Sequence, residues 1–498
     1  MPAVPVRALG CLLTGASVAA GCSAPPAADA PTVTVEAAPQ LTGWGPCPPE
    51  GPPADGLECA TIDVPFDYTD PGGESFTLPV SRIPSTAEDP QLLIMNPGGP
   101  GISGVGDLRS GRDYYARFTD VYTVVSFDPR GVGGSVPAVS CLDGDQRSAV
   151  FNQPSVPMSP EQETLRNDLA AGIGVACERE FAAALGYVGT ENVVRDVDAI
   201  RAAMGFERAS FLGYSYGTFV GALYAQTFPE RTGRVALDSV LDPSLDYREI
   251  RHAQAKGMQA SVTAFAADCL SRDDCPLPGP APVAVQAIIG VIEGLDADPY
   301  RAPDGRELSG SRMLALVESS QYSPRSGWPV LRSALADALA GRWPAVVDAA
   351  YSPDLMVDPA DSEYLAVMCT DFATERDPQT PGRLAPEWAE ESPVSGGNRA
   401  WSLAPCESWP VGPVRKPGPV NPQGPGPVLI LNTSGDPATP LVWAQSLHRQ
   451  IPGSALVIAS GLGHLASAQN SCADETLVAF LREGTAPPEP VYTCPVDR

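Results

Sequence analysis

Glycine stands two residues before and two residues after Ser215 in Gly213-Tyr214-Ser215-Tyr216-Gly217, the only Gly-x-Ser-x-Gly in the chain. The apolar run Ser210-Phe211-Leu212 precedes it, and a helical pattern from Tyr216 to Phe228 follows. A serine on such a strand-to-helix turn lifts its hydroxyl clear of the backbone at the helix N-terminus. The two small residues let strand and helix pass closely. That is the setting of a nucleophile, and a serine nucleophile needs a base.

Only three histidines compete for that role: His252, His448 and His464. The first two lie in helical patterns among polar neighbours and read as surface residues. His464 follows the last apolar run, in Gly461-Leu462-Gly463-His464, on a loop free to bend toward the serine. Its orienting acid is expected at Asp436, in Gly435-Asp436-Pro437-Ala438-Thr439-Pro440 after the preceding run. Asp238 and Asp242 follow an earlier run and are alternatives. The chain order Ser215, Asp436, His464 favours Asp436, and Asp238 reads as a structural carboxylate at a strand end. Two backbone N–H groups must then meet a developing oxyanion. One is expected from Tyr216. The other is expected from Gly99, with Gly98 the second choice, in Asn96-Pro97-Gly98-Gly99-Pro100-Gly101. This loop lacks the spacing and the Lys of phosphate-binding loops. Asp128 and Arg130, in Asp128-Pro129-Arg130-Gly131, are expected to brace neighbouring loops by a partly buried ion pair.

These residues need a scaffold that brings distant segments to one rim. Short apolar runs at Leu92–Met95, Val121–Phe127, Ser210–Leu212, Val235–Leu237, Val428–Leu431 and Ala455–Ile458 each end in turn and polar residues. Helical patterns at Glu191–Met204, Tyr216–Phe228 and Leu441–Gln450 alternate with them. The alternation predicts an α/β fold: a mostly parallel sheet flanked by helices, with functional residues at the carboxyl ends of strands. Residues 138–189 read as a loop-and-helix excursion. Residues 242–425 carry helical stretches without a clear run of strands, and they close in a Pro/Gly-rich segment over Pro410–Pro427. They read as a large helical cap over the site. The core is thus expected over 46–241 and 426–498.

The 498 residues are 43% hydrophobic, enough for a large core. Lys and Arg number 32 against 59 Asp and Glu, a formal net charge of −27. Such a surface repels phosphate backbones, which argues against nucleic-acid partners. At the N-terminus, Arg7 precedes a short apolar stretch ending Ala19-Ala20-Gly21-Cys22, which reads as a signal peptide over 1–21. The small residues before Cys22 resemble a bacterial lipobox, so Cys22 is either a lipidated first residue or lies just beyond an ordinary cleavage site. A Pro/Ala-rich tether over 22–45 follows. An exported enzyme, surface-anchored or secreted, is expected, with membrane contact only through Cys22. Ten cysteines remain after Cys11 and Cys22. Their spacing suggests five local disulfides: Cys47–Cys59, Cys141–Cys177, Cys269–Cys275, Cys369–Cys406 and Cys472–Cys494. With no Cys-x-x-Cys and three histidines, neither a metal nor another cofactor is expected.

Taken together, Asn96–Gly101, Asp128–Gly133, Gly213–Thr218, Leu237-Asp238, Met368-Cys369-Thr370-Asp371, Asp436–Pro440 and Gly463-His464 resemble the α/β-hydrolase superfamily. Within it the chain is similar to the secreted tripeptidyl aminopeptidase and proline iminopeptidase-like serine hydrolases of actinobacteria, from about residue 45 to the C-terminus. Asn96 stands where proline iminopeptidases have His, and the elbow favours the tripeptidyl branch. The resemblance implies release of short peptides from free N-termini. Such an enzyme must hold an α-ammonium, and Glu363 and Asp371 are the candidates for it. A carboxylesterase or lipase acting on small esters is the alternative, and a non-catalytic surface binding protein on the same scaffold a remote one.

Overall fold

The computed structural model describes residues 40–48, 55–352, 361–424 and 426–497. The signal peptide, most of the tether and Cys22 lie outside the described residues. The main sheet is built from β1 (Gly45–Pro46), β2 (Glu58–Pro65), β3 (Ser75–Ile83), β4 (Gln91–Asn96), β5 (Tyr122–Phe127), β6 (Ala209–Tyr214) and β7 (Thr232–Asp238). A short hairpin, β8 (Tyr300–Arg301) and β9 (Glu307–Leu308), stands apart, and β10 (Val428–Gly435), β11 (Ala455–Leu462) and β12 (Val491–Cys494) complete the main sheet. Its spatial order is β1-β2-β3-β5-β4-β6-β7-β10-β11-β12.

From β5 through β12 every neighbouring pair is parallel. Strands β4, β5 and β6 are continuous apolar runs because both faces of the sheet are covered by helices. Each large apolar side chain so buried contributes about 1.5–3 kcal/mol. The antiparallel strands β2 and β3 are not among the expected apolar runs. In β3, Phe76, Leu78 and Val80 are fully buried while the residues between them are partly open. That period of two marks a strand with one wet face.

The helices Thr190–Ala203, Tyr216–Thr227 and Leu441–Gln450 lie within a residue of the expected spans. The excursion contains helices Gly144–Phe151 and Pro160–Leu185. The region expected to be a large, mainly helical cap holds nine helices among the described residues and also the β8–β9 hairpin. Its first five helices, from Tyr247–Leu270 to Trp343–Ala350, enclose an apolar core of their own around Phe265, Ile288, Leu314 and Leu331. Its later part behaves differently: Leu365, Trp401 and Trp409 join the core that backs the sheet. All five expected cysteine pairs are bonded in the structure.

One expected ion pair is wrong. Arg130 does not pair with Asp128. It pairs with Asp196 of the Thr190–Ala203 helix at 2.5 Å, both side chains fully buried, and also donates to the carbonyls of Phe66 and Tyr187. A buried guanidinium needs an anion and acceptors for its remaining donors, and only the helix supplies the anion. Asp128 instead accepts from Ser103 Oγ at 2.6 Å, Val105 N at 3.0 Å and Gly134 N at 2.8 Å, tying two loops at the carboxyl ends of β4 and β5.

Candidate active site

Ser215 caps the helix Tyr216–Thr227 with φ 53° and ψ −121°, a conformation that L-residues avoid. The surroundings over-determine it. Ser215 N donates to Asp238 O at 2.9 Å, and Thr218 Oγ1 donates to Ser215 O at 2.6 Å. A Cβ on Gly213 would stand 2.3 Å from Gly217 O, and one on Gly217 would stand 2.3 Å from Asn96 O. Both glycines are therefore required by close backbone approach, at the spacing the sequence motif displays.

Asp436 lies just past β10, 3% exposed. Its carboxylate accepts from Ala438 N, Thr439 N and Thr439 Oγ1, each at 2.9 Å, and from Ser239 Oγ at 2.8 Å. His464 Nδ1 faces it at 2.9 and 3.0 Å. With Nδ1–H donated to the carboxylate, Nε2 is left as the basic nitrogen. The His464 loop is held from several sides. His464 N donates to Tyr322 O at 2.8 Å, and Gln469 Nε2 donates to His464 O at 3.1 Å. Asp238 accepts from Ala466 N, Ser467 N and Ser467 Oγ at 2.6–3.0 Å. Its carboxylate thus braces the loop after His464. Burial pushes that carboxyl above its ordinary range.

Ser215, His464, Gly99 and Tyr216 line one cavity of about 470 Å³, with Thr439 beside them and cap residues above. No hydrogen bond joins Ser215 Oγ to His464 in this structure; catalytic hydrogen bonds of this kind commonly tighten only as substrate binds. The glycine loop lies against the elbow: a Cβ on Gly98 would be 2.4 Å from Tyr214 O. Gly98 N is already taken by Asn96 Oδ1 at 3.0 Å. The N–H groups of Gly99 and Tyr216 donate to no group among the described residues. Both residues line the cavity with Ser215, so their N–H groups are open to an acceptor there.

The two acids expected to hold an α-ammonium are placed elsewhere. Asp371 is fully buried beneath Tyr216, accepting from Thr190 N at 2.8 Å, from Thr190 Oγ1 at 2.6 Å and from the Tyr216 hydroxyl. It does not line the cavity. Burial raises its pKa to about 6. Glu363 stands outside the cavity lining, against Gly133 N at 3.4 Å, and burial followed by the nearby Asp361 raises its pKa to about 7. The carboxylates that do line the cavity are Asp107, Glu318 and Asp361. No motif marked them, since each reaches the site through the packing of its helix. Asp361 alone carried a local signal: it caps the Ser362–Asp371 helix by accepting from Glu363 N and Tyr364 N. The remaining histidines do not line the cavity. His252 contacts Glu391 at 2.8 Å and stacks on Trp388, and His448 contacts Ser454 at 2.9 Å. Among the described residues no cluster has the composition of a metal site.

The chain resembles known proteins over most of its length. A family model described as alpha/beta hydrolase fold matches residues 91–284, and one described as TAP-like protein matches residues 392–494. Serine protease Hip1 of Mycobacterium tuberculosis is 33% identical over 472 residues, covering 90% of each chain. The tripeptidyl aminopeptidase of Streptomyces coelicolor is 30% identical, covering 86% of this chain and 81% of that protein. Carboxylesterase B of Mycobacterium tuberculosis is 31% identical, covering 88% and 86%.

Proposed function

The chain belongs to the alpha/beta hydrolase family, and on that premise we propose that this serine hydrolase is an exported aminopeptidase that releases short peptides, tripeptides in the first instance, from free N-termini. Ser215 Oγ attacks the scissile carbonyl while His464 Nε2 takes its proton. Asp436 holds the Nδ1–H and stabilises the imidazolium. The oxyanion meets the N–H groups of Gly99 and Tyr216. His464 returns the proton to the leaving amine, and an acyl-enzyme remains on Ser215. Water, deprotonated by His464, then releases the peptide acid.

The observation that carries the peptidase reading is the cavity. It is roofed by the cap and lined by three carboxylates, Asp107, Glu318 and Asp361, beside the reacting serine. A roofed cavity admits a chain end and excludes the middle of a folded protein, and a carboxylate can hold an α-ammonium. Two of the relatives above are named as a serine protease and a tripeptidyl aminopeptidase. The esterase reading has its own support in a relative named carboxylesterase B. Export is supported by the N-terminal signal pattern and by the five disulfides. An anchor at Cys22 belongs to the same proposal.

Product analysis on free and N-acetylated peptides tests the reading. Tripeptides from the free substrate, and none from the acetylated one, are expected. Cleavage at internal bonds, or indifference to acetylation, would sink the aminopeptidase proposal and leave the esterase.

A further inference from the structure

The carboxylates on the cavity wall each have donors at hydrogen-bond distance. Glu318 takes Arg399 on both oxygens, at 3.3 and 2.5 Å. Asp107 accepts from the Tyr115 hydroxyl at 2.8 Å, and Asp361 accepts two backbone N–H groups. Two guanidiniums of the lining, Arg166 and Arg251, are left without a carboxylate partner among the described residues. Arg166 is half-buried and donates to Ser155 O at 3.3 Å, and Arg251 is the buried one. Arg251 lines the same cavity and is 9% exposed, yet among the described residues no carboxylate lies within ion-pair distance of it. Its Nε donates to Ser402 Oγ at 2.8 Å, and its Nη1 donates to Gln254 Oε1 at 2.9 Å and to Tyr364 Oη at 3.4 Å. Its Nη2 donates to nothing among the described residues. Its hydrogen-bond partners are all neutral, and Glu318, already held by Arg399, acts on it only from beyond ion-pair distance. A buried cation so placed is costly, and the cost falls when a ligand brings an anion into contact.

Short chains of bonds lead from this guanidinium to the reacting groups. Gln254 Nε2 donates to Ala438 O at 3.0 Å, and Ala438 N donates to Asp436 at 2.9 Å. On the other side, Tyr364 N would lie 3.2 Å from a Cβ on Gly101, the residue that ends the oxyanion loop. Arg251 is thus fixed between the orienting acid and the oxyanion loop, on three cap helices at once: Tyr247–Leu270, Ser362–Asp371 and, next to Ser402, Gly396–Trp401.

We propose that Arg251 is a substrate-binding residue that pairs with a carboxylate of the substrate through its free Nη2 edge, so that the enzyme prefers carboxylate-bearing substrates over their amide counterparts. The Nη2 group offers a carboxylate its N–H donors together with the guanidinium charge, whereas a neutral amide gains the hydrogen bond without the charge attraction. The carboxylate can come from an Asp or Glu side chain or from the free C-terminus of a short peptide. This deepens the proposed function and rests on it only for the peptide nature of the group that carries the carboxylate.

Matched pairs decide it. The full-length enzyme is assayed on free-N-terminus tripeptide anilides with Glu or Gln at each position in turn. It is also assayed on a short peptide with a free or an amidated C-terminus, and on the 4-nitrophenyl ester of adipic acid against that of its monoamide. In at least one pair, kcat/KM is expected to favour the carboxylate member about tenfold or more. The Glu/Gln series identifies a side-chain source, and the free/amidated pair identifies the chain terminus. Arg251→Met is expected to bring the ratio to about one, and Arg251→Lys to retain part of it. A wild-type ratio near one in every pair overturns the proposal. So does an Arg251→Met enzyme whose rates fall while the ratio stays, which would mean that Arg251 only holds the cap or meets a neutral carbonyl. The wild-type ratios need no variant, so a misfolded Arg251→Met leaves the decision standing. Turnover of esters without turnover of peptides would refute the peptidase reading, and the ester pair would still decide the role of Arg251.

Discussion

The backbone N–H of His464 donates to the carbonyl oxygen of Tyr322 at 2.8 Å, and the two rings meet edge to face with centroids 5.3 Å apart. Tyr322 belongs to the cap and His464 to a loop of the sheet domain. The proposed base is therefore oriented from above by the cap as well as from the side by Asp436. Removing the Tyr322 ring should loosen the imidazole. An edge-to-face pair is worth about 0.5–1.5 kcal/mol, so Tyr322→Ala is expected to lower kcat about threefold to tenfold in stopped-time assays. Tyr322→Phe keeps the ring and should retain most of the activity.

Asp436 accepts four hydrogen bonds besides that of His464. Asp436→Asn keeps the shape but presents an amide where Nδ1–H needs an acceptor. The neutral imidazole then turns to the wrong tautomer, and kcat should fall by about four orders of magnitude. Labelling by a fluorophosphonate probe reads the same defect. Wild-type protein should be labelled at Ser215, Ser215→Ala not at all, and Asp436→Asn far more slowly than wild type.

Asp371 gives a stability signature. Its carboxyl ordinarily ionises near 3.8 but holds its proton to about 6 in the folded state because it is buried. Between those values the folded state binds more protons than the unfolded one, so this group's contribution is full below pH 3.8 and is lost as pH rises through 6. The gap corresponds to roughly 3 kcal/mol. Asp371→Asn carries no ionisable group there. Denaturant unfolding of both proteins from pH 4 to pH 8 should show the variant gaining stability relative to wild type across that window. A constant difference would exclude the mechanism.

The disulfides Cys141–Cys177 and Cys369–Cys406 span 36 and 37 residues and tie the excursion and the later cap helices. Each such cross-link is worth about 2–4 kcal/mol. Reductant should therefore lower Tm by many degrees in differential scanning calorimetry. An unchanged Tm together with ten titratable thiols would contradict this.

Local chemistry was legible wherever one short segment carried the whole requirement. The Gly213–Gly217 turn needs glycines at both flanks, and those flanks are visible as letters. The apolar runs of β4, β5 and β6 are buried on both faces and so read as runs. Half-buried β3 dilutes its signal with polar residues and does not read as a run. The partner of Arg130 could not be read, because Asp196 is 66 residues away and a nearer acid stood beside it.

From the letters alone followed the alternation of strand and helix, the serine elbow, the order of the three polar residues and the cysteine spacing, since each depends on neighbours along the chain. Folding in three dimensions decided which acids face the cavity, that Asp371 is sealed behind Tyr216, that Tyr322 holds His464, and that Arg251 is left without an anion. Those outcomes turn on which helix faces meet across the cap, and contacts between residues a hundred positions apart leave no periodic trace in a single sequence.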